Sequence, residues 1–171
     1  PRMLQLSRRE ADIVISLERP TRGSVIVTKL ADYTLHLYGQ REYLARRPLV
    51  AAREDLRHHA FVSYVDDLLF TKELQFLDRL DPPERFALRS TSVTAQYEAV
   101  RAGAGLAVLP AFLADSDPVL ARVLPQEARF TRTFWMSMPA EAKHQARMQA
   151  VWAFLKDVGQ EEGARLRPDR R

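Results

Sequence analysis

The chain has 171 residues, 46% of them hydrophobic and 28% charged, which suits one folded domain or two small lobes sharing a chain. Cysteine is absent, which excludes disulfides, thiolate metal sites and a cysteine nucleophile, and fits a reducing compartment. The net charge is +4, with Arg165, Arg167, Arg170 and Arg171 crowded at the far end. Residues 161–171 are therefore expected to form a solvated, disordered basic tail rather than a nucleic-acid contact.

No stretch of about 18 apolar residues is present to span a membrane. Residues 1–10 carry Arg2, Arg8, Arg9 and Glu10 and lack the apolar centre of a secretory signal. Met3, Leu4 and Leu6 ahead of these charges read as the tail of a helix. Residues 11–17 (ADIVISL) form a short, nearly continuous apolar run, the pattern of a strand buried on both faces in a parallel sheet. Residues 24–29 and 33–38 read as two further strands, with Gly39 ending the second. Residues 41–46 (REYLAR) predict a short helix that Pro48 stops.

Residues 60–65 (AFVSYV) predict a strand. Asp66 and Asp67 follow, and Phe70, Leu74 and Leu77 recur at helical spacing to about Leu80. Residues 85–89 predict a strand. Residues 91–110 then run hydroxyl cluster, helix, glycines, strand: Val93, Tyr97 and Val100 mark one face, Gly103 and Gly105 close the helix, and residues 106–109 form a buried strand that Pro110 ends. Residues 130–138 alternate as a strand over part of their length. In the last helix Met148, Val151, Trp152, Leu155 and Val158 form one stripe expected to face the core. Strands alternating with helices imply a parallel-rich α/β domain. Residues 60–110 can form a lobe of their own, the outer segments sharing a second.

The chemistry-bearing patterns are sparse. A dinucleotide loop opens a helix after a strand, whereas Gly103 and Gly105 follow a helix and precede a strand, so a phosphate there would meet the negative end of the helix dipole. His36, His58, His59 and His144 have no metal-ligand spacing, and His58 and His59 read as surface loop residues. No nucleophile elbow is present. The carboxylate pairs Asp115/Asp117 and Glu161/Glu162 read as exposed, and Asp66/Asp67 suits a helix cap. Nothing here supports an enzyme, a metal or a cofactor. What remains is the hydroxyl cluster Ser90, Thr91, Ser92 and Thr94, one of which should cap the following helix. The others, with the unpaired N–H groups of the first helical turn, can hold a carboxylate or phosphate. Plain capping explains the cluster equally well. Tyr64, Val65 and Asp66 leave a strand end, the place where ligands sit in open α/β sheets.

Taken in order, these pieces resemble one family, the LysR-type transcriptional regulators. ADIVISL is similar to that family's "D-L-A-I" strand, and LHLYGQREYLARR to its strand and "YLA" helix. STSVTAQYEAVRAGAGLAVLP resembles the effector-domain segment ending "V-x-A-G-x-G-[IV]-x-x-LP", through Val100, Ala102, Gly103, Gly105, Leu109 and Pro110. ARMQAVWAFLKD fits the closing helix through Arg147 and Phe154.

The resemblance implies a two-lobed, periplasmic-binding-protein-like (type 2) domain with three-layer α/β/α lobes. Residues 1–38 and 137–160 would form the first lobe, incomplete at its start, and residues 39–136 the second. It implies a small-molecule effector, a carboxylate metabolite fitting best, held between lobes by Ser16, Tyr64, Val65, Asp66, Thr91, Ser92 and Val93. It further implies a cytoplasmic homodimer or homotetramer that meets DNA only through an N-terminal winged helix-turn-helix absent from this sequence, with no cofactor and no membrane. A solute-binding lobe of a transport system, or a small-acid dehydratase, would share the architecture.

Overall fold

A computed structural model describes residues 11–65, 76, 80 and 85–168. The expected helix tail within residues 1–10, Asp66, and the expected helix at 70–80 (apart from Phe76 and Leu80) lie outside the described residues. The chain divides into two compact units, residues 1–33 with 132–171 and residues 34–131. The divisions fall a few residues earlier than the expected 38/39 and 136/137.

Two strands run through both divisions. They are β2 (Val25–Gln40) and β7 (Arg129–Pro139). The strand order is β1 (Val14–Ser16), β7, β2, β5 (Ala107–Pro110), with β6 (Leu120–Val123) also pairing with β2. The sequence suggests two strands where β2 is continuous, because Ala31 and Asp32 have low strand propensity. Tertiary contacts override it. Asp32 accepts from Lys29 Nζ (2.6 Å), Arg167 Nη1 (2.8 Å) and Thr133 Oγ1 (2.7 Å).

In the first unit, β1 (Val14–Ser16) pairs antiparallel with β7. The expected doubly buried, parallel strand is corrected here: β1 is antiparallel and Ile15 is 51% exposed. α4 (Ala146–Glu161) packs Met148 and Trp152 into a cluster with Met138, Ala142, Ile13 and Ile26. Its stripe is also corrected. Met148 is buried, Trp152 and Leu155 are half-buried, and Val151 and Val158 are exposed. Tyr33 stacks on Phe134 at 4.3 Å. Among the described residues no helix is long and apolar enough to cross a membrane. Within the expected tail, α5 (Gly163–Leu166) follows α4, and Arg167 reaches Asp32.

In the second unit, β2 enters with both faces covered. Leu35 and Leu37 alternate with Thr34, His36 and Tyr38, all buried. α1 (Arg41–Ala45) follows directly, where expected. The parallel-rich expectation holds for only part of the unit. β5 (Ala107–Pro110) and β6 (Leu120–Val123) both run antiparallel to β2. Where a helical crossover exists, the strands are parallel. β4 (Phe86–Arg89) leads through α2 (Val93–Arg101) to β5, passing over β3 (Phe61–Ser63). β3 pairs parallel with β4, and Phe61 bridges Leu106 in parallel. The expected face Val93, Tyr97 and Val100 packs on Tyr38, Val62, Ala107 and Leu109.

The two glycines after α2 have different jobs. Gly103 takes φ +80°, and the N–H groups of Gly103 and Ala104 donate to Val100 O (2.9 Å) and Ala99 O (3.0 Å), a left-handed stop that satisfies the last carbonyls. Gly105 passes Ala60 so closely that a Cβ would sit 2.7 Å from the Ala60 carbonyl carbon, and closer to its oxygen. That oxygen accepts from Leu106 N–H (2.8 Å). Gly105→Ala must push backbone aside and is expected to cost about 3 kcal/mol, against about 1–2 kcal/mol for the left-handed Gly103→Ala. Urea unfolding of both variants should rank them in that order; equal midpoints would remove the close-approach argument.

Candidate functional site

Within the second unit, β3 and β4 end together. Ser63 pairs with Arg89, and Ser90 N–H donates to Ser63 O (2.9 Å). Tyr64 and Val65 therefore leave β3 beside the segment Ser90-Thr91-Ser92 that leaves β4. The N-terminus of α2 starts at the same place. Two parallel strand ends and a positive helix end thus converge, an arrangement suited to a small anion.

Ser92 is the N-cap. Its Oγ accepts from Ala95 N–H (3.3 Å), and its own N–H donates to Ser90 Oγ (3.2 Å). Its carbonyl takes Gln96 N–H (3.1 Å). The N–H groups of Val93 and Thr94, first in the helix, have no intrahelical acceptor. Thr91 is half-buried and Ser92 exposed. Burial raises the Tyr64 phenol above its ordinary pKa, so it stays a neutral O–H donor at physiological pH.

The structure thus brings Tyr64, Val65, Thr91, Ser92 and Val93 to one end of one unit. Asp66 lies outside the described residues. Ser16 belongs to the other unit, and its Oγ donates to Glu18 O (2.7 Å), closing a local turn.

Sequence reasoning missed several groups. Gln96 is buried, and its Nε2 donates to Ser90 O (2.8 Å), which fixes the hydroxyl segment against α2. The signal was available: Gln96 lies on the apolar face of Val93, Tyr97 and Val100. The carboxylates of Asp115 and Asp117, read as exposed, are engaged. Asp115 accepts from Tyr38 Oη (2.7 Å) and a two-pronged Arg122 (2.9 and 2.6 Å). Asp117 accepts from Tyr97 Oη (2.7 Å) and pairs with Arg101 (2.9 Å). The Tyr97 hydrogen bond is the main cause holding Asp117 below the usual carboxylate range. These pairs pin the turn after α3 (Ala111–Ala114) to β2 and α2.

His59 corrects the surface-loop expectation. It is buried, and its Nε2 faces Pro48 O at 3.0 Å, while His58 is exposed. No group of three metal-ligating side chains occurs among the described residues. A polar depression at the opposite end of α2, lined by Gln40, Glu42, Tyr43, Arg46 and Arg47, meets the helix's carbonyl end, which disfavours anions.

The chain matches the family model described as LysR substrate binding domain over residues 2–160. It is 32% identical over 110 residues to the Mau operon transcriptional activator of Paracoccus denitrificans, covering 64% of this chain and 35% of that protein. The chain thus spans about a third of that relative's length. Among solved structures it resembles the regulatory domain of CrgA, a LysR-type transcriptional regulator from Neisseria meningitidis. The TM-score is 0.72 and the identity 19%, over 90% of this chain and 78% of that one. It also resembles the CcmR regulatory domain of Synechocystis PCC6803, a structure in complex with 2-PG. There the TM-score is 0.69 and the identity 20%, over 91% of this chain and 76% of that one. At such identities the two structures bear on the fold alone.

Two outcomes follow from the local geometry. Ser92→Ala should destabilise by about 1 kcal/mol and Ser92→Gly by only a few tenths, in chemical denaturation, because glycine tolerates the cap geometry. Burial holds the His59 pKa below its ordinary value, against the Pro48 carbonyl, which favours the charged ring. The folded state therefore refuses a proton that the unfolded chain accepts near pH 6.5. Stability is full above about pH 6.5 and falls as pH drops through that value toward the lower folded pKa. His59→Gln should flatten the urea midpoint between about pH 7.5 and 5; an unchanged slope would clear His59 of that role.

Proposed function

We infer the function from one premise: the chain belongs to the LysR substrate binding domain family. It is the effector-binding domain of a LysR-type regulator, with the periplasmic-binding-protein-like type 2 fold of those regulatory domains. The family is a regulatory one, and the matched structures are regulator domains rather than transport proteins.

The finer reading is that a small anionic effector, a carboxylate or phosphate ester, binds at the shared end of β3, β4 and α2. The observation that carries it is that Thr91 and the start of α2 leave β4 beside the end of β3, from which Tyr64 follows, so that two paired strand ends and a helix N-terminus meet. The Val93 and Thr94 N–H groups would receive the anion, helped by the helix dipole, worth about 0.3–1 kcal/mol per charge. Thr91 would add a hydroxyl hydrogen bond. Ser92 would act mainly by holding the helix start in shape, since its hydroxyl is spent on Ala95. Val65 would shape the site, and Asp66 stays in the proposal as the next residue along. CcmR, a fold relative, was solved in complex with 2-PG, and that supports a small-molecule effector.

Binding would pass to DNA through a domain outside this sequence, in a homodimer or homotetramer. Titration calorimetry of the intact regulator against carboxylates and phosphate esters tests the reading. Once a ligand is found, Thr91→Val should weaken it about tenfold or more, the worth of a hydrogen bond to a charged group. Unchanged affinity would take Thr91 out of the site. The same ligand should shift the regulator's affinity for its operator, and a ligand that binds without any shift would sink the coupling.

A further inference from the structure

The C-terminal segment is tied to a strand it has no sequence reason to meet. Arg167 Nη1 donates to Asp32 Oδ2 (2.8 Å), across 135 residues, and both side chains are largely out of solvent, at 19% and 13% exposure. The contact is not isolated. α4 lies against Leu30 at Gly159, and Leu30 and Asp32 share one face of β2. The chain beyond α4 therefore follows β2 from Leu30 to Asp32.

Asp32 is the penultimate β2 residue of the first unit, which ends at Tyr33. Its other oxygen accepts from Thr133, the second β7 residue after that unit resumes at Arg132. One carboxylate thus joins both crossing strands, where they leave this unit, to the C-terminal segment. Lys29 Nζ also reaches Asp32 Oδ2 (2.6 Å), from a half-exposed position. If Arg167 lets go, Lys29 and Thr133 still satisfy the carboxylate. Release therefore avoids stranding a buried charge, the event that makes most broken ion pairs costly.

We propose that Arg167 is a releasable latch through which the C-terminal segment sets the local stiffness of β2 and β7 at the edge of the first unit. A tether of the tail alone would protect only the tail. A latch protects the strands as well. The closed latch would resist bending of these strands within the first unit, and its release would ease it.

Hydrogen exchange on the full chain separates the two, comparing wild type, Arg167→Gln and the charge-conserving Arg167→Lys. In Arg167→Gln, segments around residues 29–35 and 130–136 should exchange about two- to fivefold faster, the range one partly screened ion pair supplies. Arg167→Lys should recover much of the protection, with melting little changed in both variants. Faster exchange confined to residues 162–168 would reduce Arg167 to a tail anchor and overturn the proposal. So would unchanged exchange in both strands, or an Arg167→Gln chain that no longer folds, since the contact would then serve folding rather than a reversible state.

Discussion

Two hydrogen bonds around Leu106 hold the parallel strands of the second unit to its antiparallel ones. Leu106 N–H donates to Ala60 O and its carbonyl accepts from Val62 N–H, both at 2.8 Å. Immediately afterward the chain becomes β5 and pairs antiparallel with β2. One residue therefore faces both systems, and Gly105 gives it room to do so. The length and tilt of α2 follow, because the helix must start where β4 ends and stop where Leu106 begins. Fixing its C-terminal end by Gly103 and its apolar face on Tyr38, Val62 and Leu109 leaves its N-terminus one place to be, beside the ends of β3 and β4.

That placement explains how the polar groups divide their work. Ser92 Oγ takes the third helical N–H, that of Ala95, and Ser90 Oγ takes the N–H of the cap residue itself, which leaves Val93 and Thr94 without an intrahelical acceptor. Gln96 then draws the Ser90 carbonyl onto the helix from a buried position, where an unpaired amide would be costly. The proposed binding would thus use residues adjacent to the cap without competing for the same atoms. Capping takes the hydroxyls of Ser90 and Ser92, and the N–H groups of Val93 and Thr94 are left without an intrahelical acceptor. The two readings of the cluster offered by the sequence are compatible.

What the sequence shows plainly is what short-range chemistry decides. The hydroxyl cap, the glycine stop, the Val93–Tyr97–Val100 face, the REYLA helix and the strands at Phe61–Ser63 and Phe86–Arg89 all lie where local pattern puts them. Pairing direction was not legible. An apolar run such as VIS reads alike in a parallel and an antiparallel sheet, and only the partner, β7, decides. Nor was Asp32 legible as a strand residue, since its three partners lie at positions 29, 133 and 167. His59 looked like a loop histidine beside His58 because nothing nearby in sequence reveals that Tyr43 and the Pro48 carbonyl enclose it.

The last helix shows how a correct periodicity can still misplace a core. At about 100° per residue, Met148, Trp152, Leu155 and Gly159 fall within an arc of about 60°. Val151 and Val158 stand about 70–90° round from its centre, and Phe154 about 130°. The sheet covers the first arc and little of the second, so Met148 is 4% exposed while Val151 is 48% and Phe154 63%. The five-residue stripe is thus two neighbouring faces, and only one meets β2. The inward arc includes Gly159, invisible to a count of apolar residues, because what fits the sheet at Leu30 is the absence of a side chain. The close seat made by that small residue brings the chain beyond α4 along β2, within reach of Asp32. A pattern search that scores only large apolar residues therefore finds the wrong centre of the helix and, with it, loses the path by which the C-terminal segment comes to meet Asp32.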